Sequence, residues 1–193
     1  MLRFAKTEDT EALLEIYGQY MDTPITFEYE LPSKEEFAGR IRDIGSYYPY
    51  LVWEENGKIA GYDYAHRHME RAAYQWNAEL SVYVDKDHHR SGIGGKLYQA
   101  LIEILQLQNI HTVYGCITLP NEKSVGLHGA MGFTKVGIYH HAGYKCGKWH
   151  DVIWNEKAIR EFEANPQPIR SMHEIPEQKL AAILKDVSAV IKS

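Results

Sequence analysis

The chain has little of what extracellular or membrane-embedded proteins require. Only two of its 193 residues are cysteine, Cys116 and Cys146, and they form no CxxC pair, so a disulfide framework is not expected. No apolar run approaches the roughly 18 residues that a membrane span needs, and the charged N-terminus lacks the apolar core of a signal peptide. We therefore expect reduced thiols and a cytoplasmic protein.

Positive charge is also scarce. Lys and Arg number 21 against 26 Asp and Glu, which leaves a net charge of −5. Proteins that bind DNA or RNA normally present a basic face, so no nucleic-acid partner is expected. The charge does not exclude a small anionic ligand, because a few local cations or backbone amides can hold one.

Hydrophobic spacing predicts an α/β domain with strands and helices in mixed order, not a regular doubly wound repeat. The predicted helices begin at Thr7, at a capping-box pattern formed by Ser33 and Glu36, after a glycine-bearing stretch at 89–95, and at Asn121. Asn56-Gly57 predicts a hairpin turn. The predicted strands are 2–5, 50–54, 59–65, 78–85, 112–117, 134–140 and 152–154.

The chain changes character near Asn165. Prolines at 166, 168 and 176 predict a linker. An amphipathic helix is predicted after it, and we expect this helix to dock on the main domain or on a partner. Its apolar positions are Leu180, Ile183, Leu184, Val187 and Ile191. We therefore divide the chain into a main domain, 1–160, and an appended segment, 161–193.

The most specific local pattern is a strand, a glycine-bearing loop and a long helix. The loop reads His89-Arg90-Ser91-Gly92-Ile93-Gly94-Gly95. A helix N-terminus presents free N–H groups, and glycines let the backbone approach a pyrophosphate. The full GxGxxG spacing of a Rossmann site is missing, and no Gly-Lys-Ser/Thr closes a P-loop. The same glycines also fit a plain tight turn from strand to helix.

These residues resemble the acetyl-CoA signature of the GNAT superfamily, Q/R-x-x-G-x-G/A after the fourth strand, with His89 at the position of the Gln or Arg. Leu119-Pro120-Asn121-x-x-Ser124-x-x-Leu127-His128 is similar to the second half of that signature. Further motifs resemble the phosphinothricin acetyltransferases, and the resemblance covers roughly residues 1–157. They are Arg71-Ala-Ala-Tyr74-x-Trp76, Ser81-Val82-Tyr83-Val84 and Ala142-Gly143-Tyr144-Lys145 followed by Trp149-His150-Asp151-Val152.

The resemblance implies a GNAT fold, which is a mixed, mostly antiparallel sheet, splayed at its centre and flanked by helices on both faces. It implies direct acetyl transfer from acetyl-CoA to the α-amine of a small acidic amino-acid analogue, such as phosphinothricin or methionine sulfoximine. A homodimer is expected because related proteins commonly form one. The residues that it implies for acetyl-CoA binding are Val82, Tyr83, Val84, Arg90, Ser91, Gly92, Ile93, Gly94, Gly95, Asn121 and Ser124.

Glu79 and His128 are the candidate catalytic residues. Amine acetylation needs a neutral amine, and a carboxylate nearby can take the proton that the ammonium form carries, so Glu79 is the expected general base. By resemblance, His128 occupies the place of the group that protonates the departing CoA thiolate. The alternatives are an exposed strand carboxylate and a structural helix histidine.

Arg71 and Tyr74 are the implied acceptor contacts, with Phe27 as a wall of the acceptor site. A guanidinium pairs bidentately with a carboxylate or phosphinate. The alternatives are a surface arginine and a core tyrosine.

Several histidines raise a metal hypothesis, in particular His66-x-His68. Zinc sites need three or four convergent ligands, which no spacing here supplies, so no metal is expected. No nucleophile-elbow context supports a Ser-His-Asp or Cys-His site. Two rival functions stay open: an acetyltransferase for another small amine, an antibiotic or a peptide N-terminus, and a non-catalytic acyl-CoA sensor. The presence of Glu79 together with His128 argues against the sensor.

Overall fold

The computed structural model describes residues 1–189, so the predicted helical position Ile191 lies outside the described residues. Seven strands form one sheet. They are β1 (Leu2–Phe4), β2 (Tyr50–Glu55), β3 (Lys58–Arg67), β4 (Asn77–Val84), β5 (Thr112–Thr118), β6 (Thr134–Lys145) and β7 (Lys148–Ala158). Their order in the sheet is β1-β2-β3-β4-β5-β7-β6, and every neighbouring pair except β4 and β5 is antiparallel.

Helices cover both faces of this sheet. On one face, α1 (Thr10–Gly18) and α2 (Lys34–Gly45) pack on tyrosines of β2 and β3. On the other face, the core forms around the long α3 (Ile93–Leu107), which α4 (Glu122–Ala130) and α5 (Glu177–Ala189) join. The predicted mixed, mostly antiparallel sheet with helices on both faces is confirmed. None of the helices within residues 1–189 combines the length and apolar character that a membrane crossing needs.

The sheet opens at its centre, between β4 and β5. These two strands run parallel and pair only from Asn77 to Glu79 and from Thr112 to Tyr114. Beyond Glu79, β4 continues to Val84 and β5 to Thr118 without further pairing of the two. The predicted splay is therefore present, and it leaves a gap between the ends of these strands.

The helix starts differ in detail from the predictions. Residues Thr7–Asp9 form a separate 3₁₀ turn, so Thr7 does not cap α1. Ser33 caps α2 as predicted, because its hydroxyl accepts the Glu36 N–H at 3.1 Å. The Glu36 carboxylate does not complete the capping box with Ser33 but pairs with Arg40 one turn later.

The last hairpin is longer than the sequence predicted. A register shift between Tyr139 and Gly143 interrupts the apolar alternation that marks a strand. Pairing resumes from Gly143 to the turn at Cys146 and Gly147, where both residues have positive φ. Asn56 and Gly57 also have positive φ, which confirms the predicted turn between β2 and β3.

The segment after Asn165 lies against the main domain. The indole N–H of Trp76 donates to the carbonyl of Gln167 at 2.8 Å. Leu180 and Val187 of α5 are buried in the core that surrounds α3. The appended helix therefore docks on its own chain.

Candidate active site

The gap between β4 and β5 opens into a cleft of about 510 Å³. Three walls enclose it: the loop before α3, the C-terminal end of β4 and the start of α4. Every residue predicted for cosubstrate binding lines this cleft, namely Val82, Tyr83, Val84, Arg90, Ser91, Gly92, Ile93, Gly94, Gly95, Asn121 and Ser124.

Backbone donors of β4 face the gap. The N–H of Asp85 donates to the Ala60 carbonyl on the β3 side at 2.9 Å. Because backbone groups alternate along a strand, the N–H groups of Val84 and Val82 point the other way, where β5 has already diverged. Two backbone donors, two residues apart along β4, are therefore available to ligand oxygens in the gap.

The cleft suits a pyrophosphate. Gly92 has a φ of +84° and precedes α3 without a side-chain cap, so the helix N-terminus is open to a ligand. Lys86, Arg90 and Lys123 line the same cleft, and no carboxylate among residues 1–189 lines it. A Cβ at Gly94 would lie 3.5 Å from Leu127, so a larger side chain there would enter the space of the ligand.

His89, which stands in place of the usual Gln or Arg, links the loop to its surroundings. Lys123 Nζ lies 2.9 Å from His89 Nδ1, and the Tyr20 hydroxyl lies 3.0 Å from His89 Nε2. The Tyr20 hydroxyl in turn donates to the carbonyl of Val84. Burial, and then the charge of Lys123, lower the pKa of His89, which keeps the imidazole neutral and able to accept from the lysine. His89 thus holds Lys123 at the rim of the cleft.

A smaller chamber of about 70 Å³ continues the cleft into the sheet. The two share Ile25, Val82, Tyr83, Asn121 and Ser124 as lining residues. Deeper in the chamber, the lining includes Tyr98, Cys116 and His128. A long ligand whose phosphates lie at the loop would therefore place its far end among these three side chains.

His128 is fixed in one orientation. It is 3% exposed, its Nδ1 lies 2.8 Å from the Ser124 carbonyl, and its Nε2 lies 3.4 Å from the Tyr98 hydroxyl. A carbonyl only accepts, so Nδ1 carries the proton and Nε2 holds a lone pair. Burial lowers the pKa of His128. Gly115 makes room for the ring, because a Cβ there would overlap the imidazole.

Cys116 is a chamber residue that the sequence did not single out. The residue is exposed to the chamber, but neighbouring groups exclude much of the water around its sulfur. This desolvation, followed by the negative charge of Glu79, raises the pKa of the thiol to about 12. A thiol in this state is almost wholly protonated at neutral pH. Because the thiolate is the nucleophilic form, Cys116 is unsuited to attack a thioester.

Glu79 lies at the edge of the chamber, at the last paired residue before the two strands diverge. Its side chain is 19% exposed, and Oε2 lies 3.4 Å from Nδ1 of His68. Alternation along β4 puts Glu79 on the same side as Ser81 and Tyr83, the face that α1 covers. It is not a lining residue of the chamber, but its charge acts on the chamber residue Cys116.

Phe27 belongs to the loop between α1 and α2, which packs on the last hairpin. Its ring occupies the space in front of Gly143, where a Cβ would overlap it, and lies 6.4 Å from the His150 ring. Lys145 Nζ donates to the Thr26 carbonyl at 2.7 Å and fixes the loop. Phe27 therefore packs on the last hairpin, and it lines neither the cleft nor the chamber.

Arg71 and Tyr74 are not brought into the chamber. Arg71 precedes the short 3₁₀ turn Ala72–Tyr74, between β3 and β4. Both side chains are exposed, and neither lines the cleft or the chamber.

Sequence reasoning missed the lining residues Tyr20, Ile25, Lys86, Lys123 and Cys116. A signal existed for Lys123, a cation directly before Ser124 in the first turn of α4. Tyr20 and Ile25 reach the cleft only through packing of the loop after α1. Within residues 1–189, no three His, Cys, Asp or Glu side chains converge as metal ligands would.

Comparisons with known proteins agree with this geometry. The family model described as an acetyltransferase (GNAT) domain matches residues 2–154. Phosphinothricin N-acetyltransferase of Streptomyces viridochromogenes is 38% identical over 178 residues, which cover 90% of this chain and 95% of the relative. The L-methionine sulfoximine/L-methionine sulfone acetyltransferase of Salmonella typhimurium is 29% identical, over 84% of this chain and 96% of the relative.

A solved structure shares the fold. The crystal structure of a GNAT superfamily phosphinothricin acetyltransferase from Sinorhizobium meliloti, in complex with acetyl-CoA, superposes with a TM-score of 0.81. It is 31% identical, and the match covers 87% of this chain and 92% of the other.

Proposed function

Because this chain belongs to the GNAT family of acetyl-CoA-dependent N-acetyltransferases, we propose that it acetylates the α-amine of a small acidic amino-acid analogue. Phosphinothricin and methionine sulfoximine are the leading acceptors, since relatives over most of the chain carry those names. The observation that carries the proposal is the continuous path from the glycine-bearing loop to the chamber, with Glu79 at its edge. A binding-only sensor would not need a carboxylate at that edge.

The transfer is direct. The amine nitrogen attacks the thioester carbon, the new C–N bond forms, and the C–S bond breaks to release the CoA thiolate. The N–H groups of Val82 and Val84 face the gap, and one of the two donates to the carbonyl oxygen as it gains negative charge. Cys116, the thiol in the chamber, stays protonated and does not compete as a nucleophile.

Glu79 is the general base. An α-ammonium must lose a proton before its nitrogen can attack, and a positioned carboxylate removes it directly or through one water. The side chain is partly exposed, so it can return that proton to solvent after each turnover.

His128 serves as a proton shuttle at the leaving group. Nε2 carries the lone pair, so it can take the proton that the attacking nitrogen loses once the new C–N bond has formed, and pass that proton to the departing thiolate. The lowered pKa of His128 disfavours a permanently protonated imidazole, which favours a shuttle over a standing acid.

The acceptor lies on the Glu79 side of the sheet, with Phe27 as one wall and Arg71 and Tyr74 as contacts for its anionic group. Arg71 and Tyr74 lie on the segment that leads into β4 and are exposed, so a substrate can reach them.

The protein acts as a homodimer in the cytoplasm, where acetyl-CoA is available. The outermost strand β6 and its hairpin partner expose Val136, Tyr139, Tyr144 and Trp149. Exposed aromatic side chains beside a free strand edge are typical of an interface. The main domain, 1–160, carries the chemistry, and the appended segment, 161–193, contributes to stability.

An amine-dependent assay of CoA thiol release tests the proposal. The panel contains phosphinothricin, methionine sulfoximine, a polyamine and a peptide with a free N-terminus. We expect the highest kcat/KM with the two acidic analogues. Preference for the polyamine or the peptide would move the function to another acceptor class, and acetyl-CoA binding without turnover on any amine would indicate a sensor.

A further inference from the structure

His68 lies directly beside the Glu79 carboxylate. It follows the last residue of β3 and is 11% exposed in its side chain. Among the ion pairs within residues 1–189, only one includes the Glu79 carboxylate, and its nitrogen is Nδ1 of His68, at 3.4 Å. The side chains of His68 and Glu79 are both largely buried and in contact, which indicates that the two residues act together.

Two aromatic rings hold the imidazole of His68 in place. It stacks on Tyr114 with ring centroids 4.3 Å apart and an interplanar angle of 12°. The Trp154 ring meets it edge-on at 5.3 Å. Tyr114 is also the register partner of Glu79 across β4 and β5, so the strand pairing that sets the carboxylate also sets the imidazole. The ring is therefore oriented before any substrate arrives.

We propose that His68 is a positioning residue for Glu79: its Nδ1–H donates to Oε2 and leaves Oε1 free to take the proton of the acceptor amine. A carboxylate only accepts, so the contact requires the proton on Nδ1. A distance of 3.4 Å is long for N–H···O, and such contacts in substrate-free sites often tighten in the substrate complex. The inference rests on the proposed role of Glu79.

Two variants separate hydrogen bonding from packing. His68→Phe keeps a ring that stacks on Tyr114 but has no donor. His68→Asn loses the ring but keeps an N–H donor near the place of Nδ1. A hydrogen bond to a charged group is worth about 1.5–3 kcal/mol, or roughly tenfold to a hundredfold. We expect kcat of His68→Phe to fall by about that factor with both KM values unchanged, and His68→Asn to keep most of the activity.

The opposite order, with His68→Phe near wild type and His68→Asn impaired, would overturn the proposal and leave His68 a packing residue. Wild-type kcat in both variants would overturn it as well. His66→Phe is the matched control, because His66 faces Glu79 across β3 and β4 but turns its Nδ1 to the Arg67 carbonyl. An equal loss in His66→Phe would show that any change beside Glu79 lowers kcat, and would also contradict a specific role.

A double variant tests whether His68 acts through Glu79. In a Glu79→Gln background, His68→Phe should leave the residual kcat unchanged, since no carboxylate remains to be positioned. A further loss of the same size as in the wild-type background would place the effect of His68 elsewhere and overturn the inference. Activity on acidic acceptors in the unmodified enzyme supports the proposed function independently of either result.

Discussion

The two sides of the gap between β4 and β5 differ in the groups that form them, which are mainly backbone groups on one side and side chains on the other. The proposed cosubstrate side consists of a helix N-terminus, backbone N–H groups of β4 and glycines, which come from one continuous stretch of chain. The proposed acceptor side consists of single side chains from separate segments, with Glu79 from β4, His68 from beyond β3 and Tyr114 from β5. The first side should tolerate changes of side-chain chemistry but not of bulk, and the second the reverse.

Glu79→Gln is the sharpest test of the acceptor side, since it changes chemistry without changing size. The amide cannot accept the proton, and loss of a positioned base costs about 10²- to 10⁴-fold in rate. We expect kcat to fall by that much at neutral pH while calorimetry finds acetyl-CoA affinity unchanged. Raising the pH should restore part of the rate by supplying free amine. Turnover close to wild type would remove Glu79 from the mechanism.

Arg71→Ala asks whether the acceptor side extends to the exposed turn before β4. Loss of a charge-assisted bond of roughly 1.5–3 kcal/mol should raise KM for phosphinothricin by about tenfold to a hundredfold. The KM for acetyl-CoA should not change. Arg71→Lys should recover only part, because an ammonium makes no bidentate pair. Unaltered kinetics on acidic acceptors in the alanine variant would exclude this arginine from recognition.

Two substitutions of Gly94 test the cosubstrate side by changing only the size of the side chain. A Cβ there makes ordinary contacts at 3.5 Å and 3.6 Å, so Gly94→Ala should bind acetyl-CoA almost normally. The branched Gly94→Val must displace the cleft residues Leu127 or Val84, or fill the cleft itself, so it removes or blocks space that the ligand needs. We expect its Kd to rise on the order of tenfold to a hundredfold. Calorimetry that found equal affinities in the two variants would show that the loop does not hold the ligand.

Asp63 contrasts with Glu79 as the carboxylate without a partner. It lies on β3 on the face that α3 covers, is 0% exposed, and neither of its oxygens has a hydrogen-bond partner among residues 1–189. Burial raises the pKa of Asp63 well above its ordinary value. The folded state therefore holds a proton that the unfolded chain releases above about pH 4, so this residue costs increasing stability as the pH rises.

Asp63→Asn should remove that dependence, since the amide stays neutral. From pH 5 to pH 6 the stability of Asp63→Asn relative to wild type should rise by at most about 1.4 kcal/mol, the value of one pH unit for one proton. Urea unfolding at both pH values measures the difference. Asp43→Asn, at an exposed position, is the control and should show no such growth. A constant difference between Asp63→Asn and wild type would mean that Asp63 is already ionised in the folded protein.

The contrast between the two sides of the gap also explains which parts of the site could be predicted from the sequence. The loop before α3 is local and needs glycine for backbone reasons, so its pattern was visible and each predicted residue lines the cleft. The contact between His68 and Glu79 depends on the register of β3 and β4, and the local sequence around either residue does not predict that register. The hairpin ends were missed because a register shift after Tyr139 breaks the alternation by which strands are recognised.

One consequence of the splay concerns folding more than chemistry. Residues 80 to 84 of β4 have a strand neighbour on one side only, because β5 stops pairing with β4 after Tyr114 and continues only along β7. In the proposed binding mode, acetyl-CoA occupies the place of a missing strand beside β4, and such a site exists only in the folded chain. A ligand at a hundredfold excess over its Kd adds about 2.7 kcal/mol to the free energy of unfolding. We therefore expect a shortage of acetyl-CoA to shorten the lifetime of the enzyme in a cell as well as to slow it, because less of the chain is then stabilised by its cosubstrate.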